Sequence, residues 1–180
     1  MPPWLFLINA AQRKESRVSS SRWVQLATIG IDNSPRVRTV VFRGWSKTYE
    51  MEILTDKRSQ KINELDLNNN VEICWFFSKA KCQFRLRGKS SFDEGKDTSR
   101  HWEQLTEASK SMWSWPCPGK SFVSISKNDL ESDKNIGMPD NFSLLKIKVN
   151  HVDHLTLNKP IHIRKRWILK DAWIEERVNP

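Results

Sequence analysis

Residues 35–45 read PRVRTVVFRGW, and this stretch decides the fold class. Its β-branched and aromatic residues predict a β-strand that carries three arginines. Strand alternation separates its side chains into one face with Arg36, Arg38, Val40 and Phe42 and another with Val37, Thr39, Val41 and Arg43. Burying an arginine on such a strand requires an anionic partner, and phosphate accepts the two parallel hydrogen bonds of a guanidinium. The stretch therefore indicates either a site for a phosphorylated ligand or a half-exposed strand whose arginines point to water.

Length and charge narrow the class of protein. The chain has 180 residues, which suits one domain over residues 1–180 with a full hydrophobic core. Its net charge of +9 favours an anionic partner, which is nucleic acid, an acidic membrane or a phosphorylated small molecule. The basic residues are spread along the chain, and only residues 164–166 form a tight cluster. A dispersed excess of basic residues supports nucleic-acid binding only weakly.

The cysteines and the hydropathy pattern predict a cytoplasmic protein. Cys74, Cys82 and Cys117 are odd in number and have no CxxC spacing, so neither a disulfide framework nor a metal site is expected. The sequence contains no apolar run of about 18 residues, and we therefore expect no transmembrane helix. The apolar N-terminal stretch lacks a preceding basic region, which argues against a signal peptide.

Short strands and a few helices account for the rest of the chain. The predicted strands are 23–31, 35–45, 49–55, 71–77, 83–92 broken at Gly88, 144–157 with a break or bulge at Asn150, 161–169 and 172–178. The predicted helices are 3–14, 60–68 and 97–110, and a polar segment over 129–141 is expected to be exposed. Early hairpins with short interrupting helices indicate a mainly β (α+β) fold, a closed antiparallel barrel with helices packed outside.

Five motifs occur in one order: RVRTVVFRGW, ILTDKRSQKINEL, VEICWFF, KCQFRLRGK and IHIRKRWILKDAWIEERVNP. Together they resemble the pyridoxamine 5′-phosphate oxidase-like family of FMN-binding split barrels, over nearly the whole chain. The WPCPG loop and the N-terminal helix look like the cyanobacterial and plant branch of that family. The resemblance implies six to eight mostly antiparallel strands with short flanking helices, FMN as cofactor, and a homodimer.

The resemblance also implies eight cofactor-binding positions, which are Arg38, Arg43, Leu54, Thr55, Gln60, Lys61, Gln83 and Arg164. Arg38 would bind the phosphate or the ribityl side of FMN, and Lys61 would bind the phosphate from a helix start, where the helix dipole attracts anions. Gln60 replaces an arginine that many members carry. Arg164 would approach the flavin ring from the other chain of the dimer, where its charge stabilises the anionic reduced form. Trp113 and Trp115, in a loop stiffened by prolines, are expected either to reach across to the partner or to pack on their own barrel.

The substrate side of the family pattern is less complete. His162 is expected to be a substrate contact, a proton carrier or a structural strand histidine. The residues that grip the substrate phosphate in the family's true oxidases have no clear counterpart, although Arg100, His101 and Lys110 lie nearby. The expected function is therefore hydride transfer at flavin N5 on a small substrate, with or without a phosphate group. A true pyridoxamine 5′-phosphate oxidase, or a non-catalytic basic barrel that binds nucleic acid or another anion, are the alternatives.

Overall fold

The computed structural model describes residues 1–15, 18–93, 95–122 and 137–180. These residues form eight strands: β1 Trp23–Ile29, β2 Pro35–Trp45, β3 Met51–Asp56, β4 Asn70–Phe77, β5 Cys82–Asp93, β6 Phe142–Thr156, β7 Ile163–Leu169 and β8 Trp173–Val178. The α-helices are α1 Leu5–Glu15, α2 Gln60–Leu67, α3 Lys96–Glu103 and α4 Glu107–Ser111. Within this part of the chain, no helix has the length and apolar character needed to cross a membrane.

Six of the strands close a barrel. The strand order is β3-β2-β1-β4-β5-β6-β7-β8, and β3 pairs again with β6, which joins the first strand to the sixth. Every pairing is antiparallel. The remaining two strands, β7 and β8, extend the sheet beyond the closure as a hairpin. This is the predicted mainly β split barrel.

Alternation along the strands fills the barrel with apolar side chains. On β1, Val24 and Leu26 are buried while Trp23 is exposed, as a period of two requires. Aromatic rings meet in the core, where the centroids of Phe42 and Trp75 are 4.8 Å apart. The helix α1 adds its buried face to the same core through Ile8. The inner face of β2 carries Arg36, Arg38, Val40 and Phe42, the four residues that alternation groups on one face.

The predicted break at Gly88 is wrong, because β5 continues through this residue. The irregularity lies in the opposite strand, where β6 has an extra residue at Asn150: Arg87 pairs with His151, and Gly88 pairs with Val149. A Cβ atom at Gly88 would lie 2.3 Å from the carbonyl oxygen of Lys148. The glycine therefore permits the close approach of the bulged strand, and the bulge predicted at Asn150 is confirmed.

The single helix predicted over 97–110 is two helices. α3 ends at Glu103 and α4 begins at Glu107, with Thr106 as the N-cap residue of α4. The Thr106 hydroxyl accepts a hydrogen bond from the backbone N–H of Ser109, a bond that favours a helix start over a helix interior. Of the predicted exposed segment 129–141, residues 129–136 lie outside the described residues, and Asn141 at its end is half-buried.

Candidate functional site

Arg38 lies on the inner face of β2 at one end of the barrel, and its guanidinium is held by two residues of other elements. Its Nη2 donates to the Oε2 atom of Glu64 on α2 at 2.6 Å, and its Nη1 donates to the hydroxyl of Thr28 on β1. The Thr28 hydroxyl donates in turn to the same Glu64 oxygen at 2.6 Å. A carboxylate from the chain itself therefore partners the buried arginine, and part of the guanidinium remains free.

Lys61 lies close to Arg38 and is held in a similar way. Its Nζ donates to the Thr55 hydroxyl at the end of β3 at 2.8 Å and to the Ser59 hydroxyl at 2.6 Å. Partial burial and the positive charge of Arg38 lower the pKa of Lys61. Both causes disfavour the ammonium form, and the negative charge of an anion bound beside it would offset them.

The start of α2 is open for an anion. Ser59 is the N-cap residue, but its hydroxyl accepts from Lys61 and donates to the Asp56 carbonyl instead of capping the helix. The first-turn backbone N–H groups of α2 therefore receive no hydrogen bond acceptor from the cap side chain. Two cations, a hydroxyl and a helix N-terminus converge here, and these donors fit a phosphate dianion.

Gln83 and Arg164 form a second group on the outer face of the sheet. Gln83 on β5 pairs with Leu155 on β6, and Leu155 pairs with Arg164 on β7, so the three residues lie in one row. Asp153, which is buried, accepts from Arg164 Nε at 2.9 Å and from its Nη2 at 2.7 Å. This carboxylate raises the pKa of Arg164 and holds its guanidinium against β6.

One chain does not bring these two groups together. Arg38 is level with Leu86 of β5 through the pairs Arg38–Leu26, Leu26–Ile73 and Ile73–Leu86. Three strand spacings, about 14 Å along the sheet, separate β2 from β5. Gln83 lies three residues before Leu86 on β5, and its side chain points to the opposite face of the sheet. The residues predicted around one cofactor thus divide into two groups. The inner group contains Arg38, Thr55 and Lys61 with the side chains that hold them, and the outer group contains Gln83 and Arg164.

The remaining predicted site residues make no described contact with either group. Arg43 is exposed on the outer face of β2, and its pKa is lowered by desolvation and by the charge of Arg22. Leu54 is half-buried and pairs with Leu144 of β6. Gln60 is exposed as the first residue of α2, and His162 is exposed before β7 begins.

The cations near α3 are already paired with carboxylates of the chain. Arg100 Nη2 lies 3.3 Å from Glu52 Oε1, and its Nη1 lies 2.7 Å from Asp97. His101 Nε2 lies 2.9 Å from the buried Glu52, and Lys110 Nζ lies 3.0 Å from Glu107. These residues are therefore not assembled as a second phosphate clamp.

The aromatic loop after α4 packs on its own chain beside the start of α2. The ring of Trp113 packs edge-on against Phe142 with the ring centroids 4.6 Å apart. Arg58 donates to the Trp115 carbonyl at 2.9 Å, and Asn141 bridges Asp56 and the Trp113 carbonyl. Trp113 thus packs within its own barrel and is half-buried, whereas Trp115 is exposed, and the reach of either ring to a partner stays a prediction.

Sequence reasoning missed three residues of the inner group, namely Thr28, Ser59 and Glu64. Glu64 lies three residues after Lys61 and next to the apolar Leu65, so it belongs to the buried face of α2. An acidic residue on the buried face of a short helix predicts a cationic partner, because a lone buried carboxylate is costly. That signal points to an inward arginine such as Arg38.

Known proteins resemble this chain over its length. Residues 1–93 match the family model described as pyridoxamine 5′-phosphate oxidase, FMN-binding domain. "Pyridoxine/pyridoxamine 5′-phosphate oxidase 2" of Arabidopsis thaliana is 33% identical over 192 residues, which cover 99% of this chain and 97% of the relative. A pyridoxamine 5′-phosphate oxidase-related, FMN-binding protein from Nostoc punctiforme is 31% identical, with a TM-score of 0.92 and coverage of 100% of this chain and 99% of that one.

A more distant structure shares the fold alone. The PhzG protein of Burkholderia lata, in complex with tetrahydrophenazine-1-carboxylic acid, is 16% identical with a TM-score of 0.84, over 99% of this chain and 93% of that one. The two nearer relatives come from a plant and a cyanobacterium, the branch that the WPCPG loop indicates. The chain therefore belongs to the pyridoxamine 5′-phosphate oxidase family of FMN-binding proteins, and its cofactor is FMN.

Proposed function

We propose that this protein is an FMN-dependent oxidoreductase that acts on a small substrate. The observation that carries the proposal is the convergence of Arg38 and Lys61 at the open N-terminus of α2. When bound, FMN supplies hydride transfer at its N5 atom. The protein binds and orients the cofactor and sets the charge around it.

In this proposal, the inner group binds the phosphate of FMN. Arg38 and Lys61 donate charge-assisted hydrogen bonds to the phosphate oxygens, and the first-turn N–H groups of α2 add further donors. Thr55 and Ser59 hold the Lys61 ammonium in place from the protein side. Burial and the charge of Arg38 lower the pKa of Lys61, and the charge of the bound dianion offsets both effects.

The outer group belongs to the cofactor of a second copy, so that the working unit is a homodimer. The outer face of β1, β2 and β4 leaves Trp23, Val37 and Phe76 between 51% and 66% exposed, and exposed apolar patches of this kind are typical of interfaces. Gln83 pairs with Phe76 and therefore borders this patch. Packing two such faces around a two-fold axis would bring Gln83 and Arg164 of one chain towards the inner group of the other.

Arg164 has a specific role in the shared site. Its guanidinium is fixed by Asp153 through two hydrogen bonds, yet about a third of its side chain remains exposed. A cation held at the flavin ring stabilises negative charge that develops there on reduction. Asp153 thus orients Arg164 while leaving part of it free to contact the ring.

Titration with FMN and with riboflavin tests the proposal. Replacing Arg38 by Ala removes one charge-assisted phosphate contact, which should weaken FMN binding by on the order of 1.5–3 kcal/mol. Riboflavin, which has no phosphate, should bind the variant and the wild type alike. Arg36→Ala is the matched control, because Arg36 lies on the same face of β2 but pairs with Asp32 in the turn. Equal FMN affinity of wild type and Arg38→Ala would remove Arg38 from the site.

Oxidation of pyridoxamine 5′-phosphate is the second candidate, and the full-length similarity to the Arabidopsis oxidase favours it. The arrangement of Arg100, His101 and Lys110 weighs against it, because these side chains meet two different carboxylates, Glu52 and Glu107, and do not point to one common site. We expect little peroxide release in air from FMN-saturated protein with this substrate. Turnover at about 1 s⁻¹ or faster, an ordinary enzymatic rate, would make it the preferred function.

A further inference from the structure

A buried carboxylate and a buried hydroxyl lie behind Arg38 on the side away from solvent. We propose that Glu64 and Thr28 are positioning residues that hold the Arg38 guanidinium ready for the phosphate of FMN. The inference rests on the proposed function, in which Arg38 binds that phosphate. Glu64 and Thr28 contact Arg38 and act on the ligand only through it.

The three side chains form a closed triangle of hydrogen bonds. Arg38 donates from Nη2 to Glu64 and from Nη1 to Thr28, and Thr28 donates to the same oxygen of Glu64. A guanidinium is a rigid planar fork, so fixing both terminal nitrogens fixes its plane and its direction. The guanidinium cannot turn without breaking both hydrogen bonds together.

Solvent reaches this triangle at Arg38 and is excluded from it at Glu64. The side chain of Glu64 is 2% exposed, whereas the side chain of Arg38 is 24% exposed. A guanidinium has five N–H donors, and the triangle uses two of them. Among the residues that the structure describes, the other three N–H groups of Arg38 have no protein acceptor. The partnerless Nε atom of Arg38 is not among the buried polar atoms of the described residues, so a ligand can reach this side of the guanidinium.

The negative charge of Glu64 offsets the repulsion between Arg38 and Lys61 when no anion is bound. Arg38 and Lys61 are neighbouring cations in a half-buried site, and each disfavours the other. Glu64 neutralises one of them, leaving a net charge of +1 for the three groups. A long side chain ordinarily loses rotamer freedom when it binds a ligand, and ordering Arg38 in advance moves that cost from binding to folding.

Three variants separate positioning from charge. Thr28→Val removes one hydrogen bond to Arg38 without altering the charge. Glu64→Gln keeps an oxygen that can accept from Nη2 but removes the negative charge, and Glu64→Ala removes both. FMN and riboflavin are titrated into each purified protein by flavin fluorescence, and circular dichroism checks that each variant is folded.

Positioning predicts a pattern across these variants. Thr28→Val should raise the Kd for FMN about fivefold, which corresponds to ordering one long side chain on binding, with a change of less than about twofold for riboflavin. Glu64→Ala should bind FMN about fivefold more weakly than Glu64→Gln. In an Arg38→Ala background, Thr28→Val should change FMN affinity by less than about twofold, because the side chain that it positions is gone.

Three results would overturn the inference. They are unchanged FMN affinity in Thr28→Val, equal losses for FMN and riboflavin, and a loss that persists without Arg38. If Arg38→Ala alone leaves FMN binding intact, the proposed phosphate site fails as well. If Arg38→Ala weakens FMN binding and Thr28→Val does not, only the positioning role fails. If Glu64→Ala does not fold, the effect of Thr28→Val in the wild type and in the Arg38→Ala background decides the question.

Discussion

His154 shows how the environment of a single residue sets its charge. Its ring lies on the inner face of β6 and stacks on Phe84, with the centroids 4.2 Å apart and 13° between the planes. Burial, together with the charge of Lys165, lowers the pKa of His154 from 6.5 to about 4. The folded protein therefore holds this histidine neutral at pH values where the unfolded chain protonates it.

The consequence is a loss of stability in mild acid. The contribution of neutral His154 is complete above pH 6.5 and decreases as the pH falls from 6.5 towards 4, by on the order of 3 kcal/mol. Urea unfolding at pH 7.5 and at pH 4.5 measures it, and His154→Gln should lose less stability between the two than the wild type. His162→Gln, at an exposed position, should behave as the wild type does. An identical pH dependence in His154→Gln would contradict this account.

At the scale of elements, the bulge in β6 makes Gly88 necessary. An alanine Cβ at this position would lie 2.3 Å from the Lys148 carbonyl oxygen and 2.9 Å from its carbon, and both are backbone atoms that cannot swing aside. Gly88→Ala should therefore reduce the free energy of unfolding by about 2 kcal/mol or more, as overpacking of a rigid site does.

Gly44→Ala in β2 is the matched control for that measurement. Its nearest neighbour would be the Glu52 Oε2 atom at 3.8 Å, an ordinary contact with a side chain. Chemical denaturation of both variants should show a clear loss for Gly88→Ala and little change for Gly44→Ala. Equal stability of the two variants would mean that β6 can shift to accept a side chain at position 88.

At the scale of the whole molecule, the division into inner and outer groups predicts assembly. We expect light scattering at micromolar concentration to give twice the 21.2 kDa mass of one chain. Val37→Asp and Phe76→Asp place charges on the exposed outer face and should give monomers that bind FMN more weakly. Phe6→Asp, which alters an exposed residue of α1, should leave the dimer intact. A wild-type monomer that binds one FMN would rule out the shared site.

Local patterns in the sequence determined most of the fold. The alternation in residues 35–45 predicts both faces of β2, and the order of the five motifs indicates the family and its cofactor. The bulge at Asn150 was also predicted, because asparagine is disfavoured within a β-strand. These features succeed because side-chain period and backbone propensity act over a few neighbouring residues.

The tertiary structure alone decided what each charged side chain meets. Arg38 and Glu64 are 26 residues apart, and the closing of the barrel brings α2 against β1 and places them 2.6 Å apart. Closure also presents Gly88 to a bulged strand and puts Gln83 on the face opposite to Arg38. Such pairings depend on register and curvature across several strands, and no local pattern encodes them. Short stretches of the sequence thus indicate the family and the cofactor, whereas the partner of each arginine depends on the closed sheet.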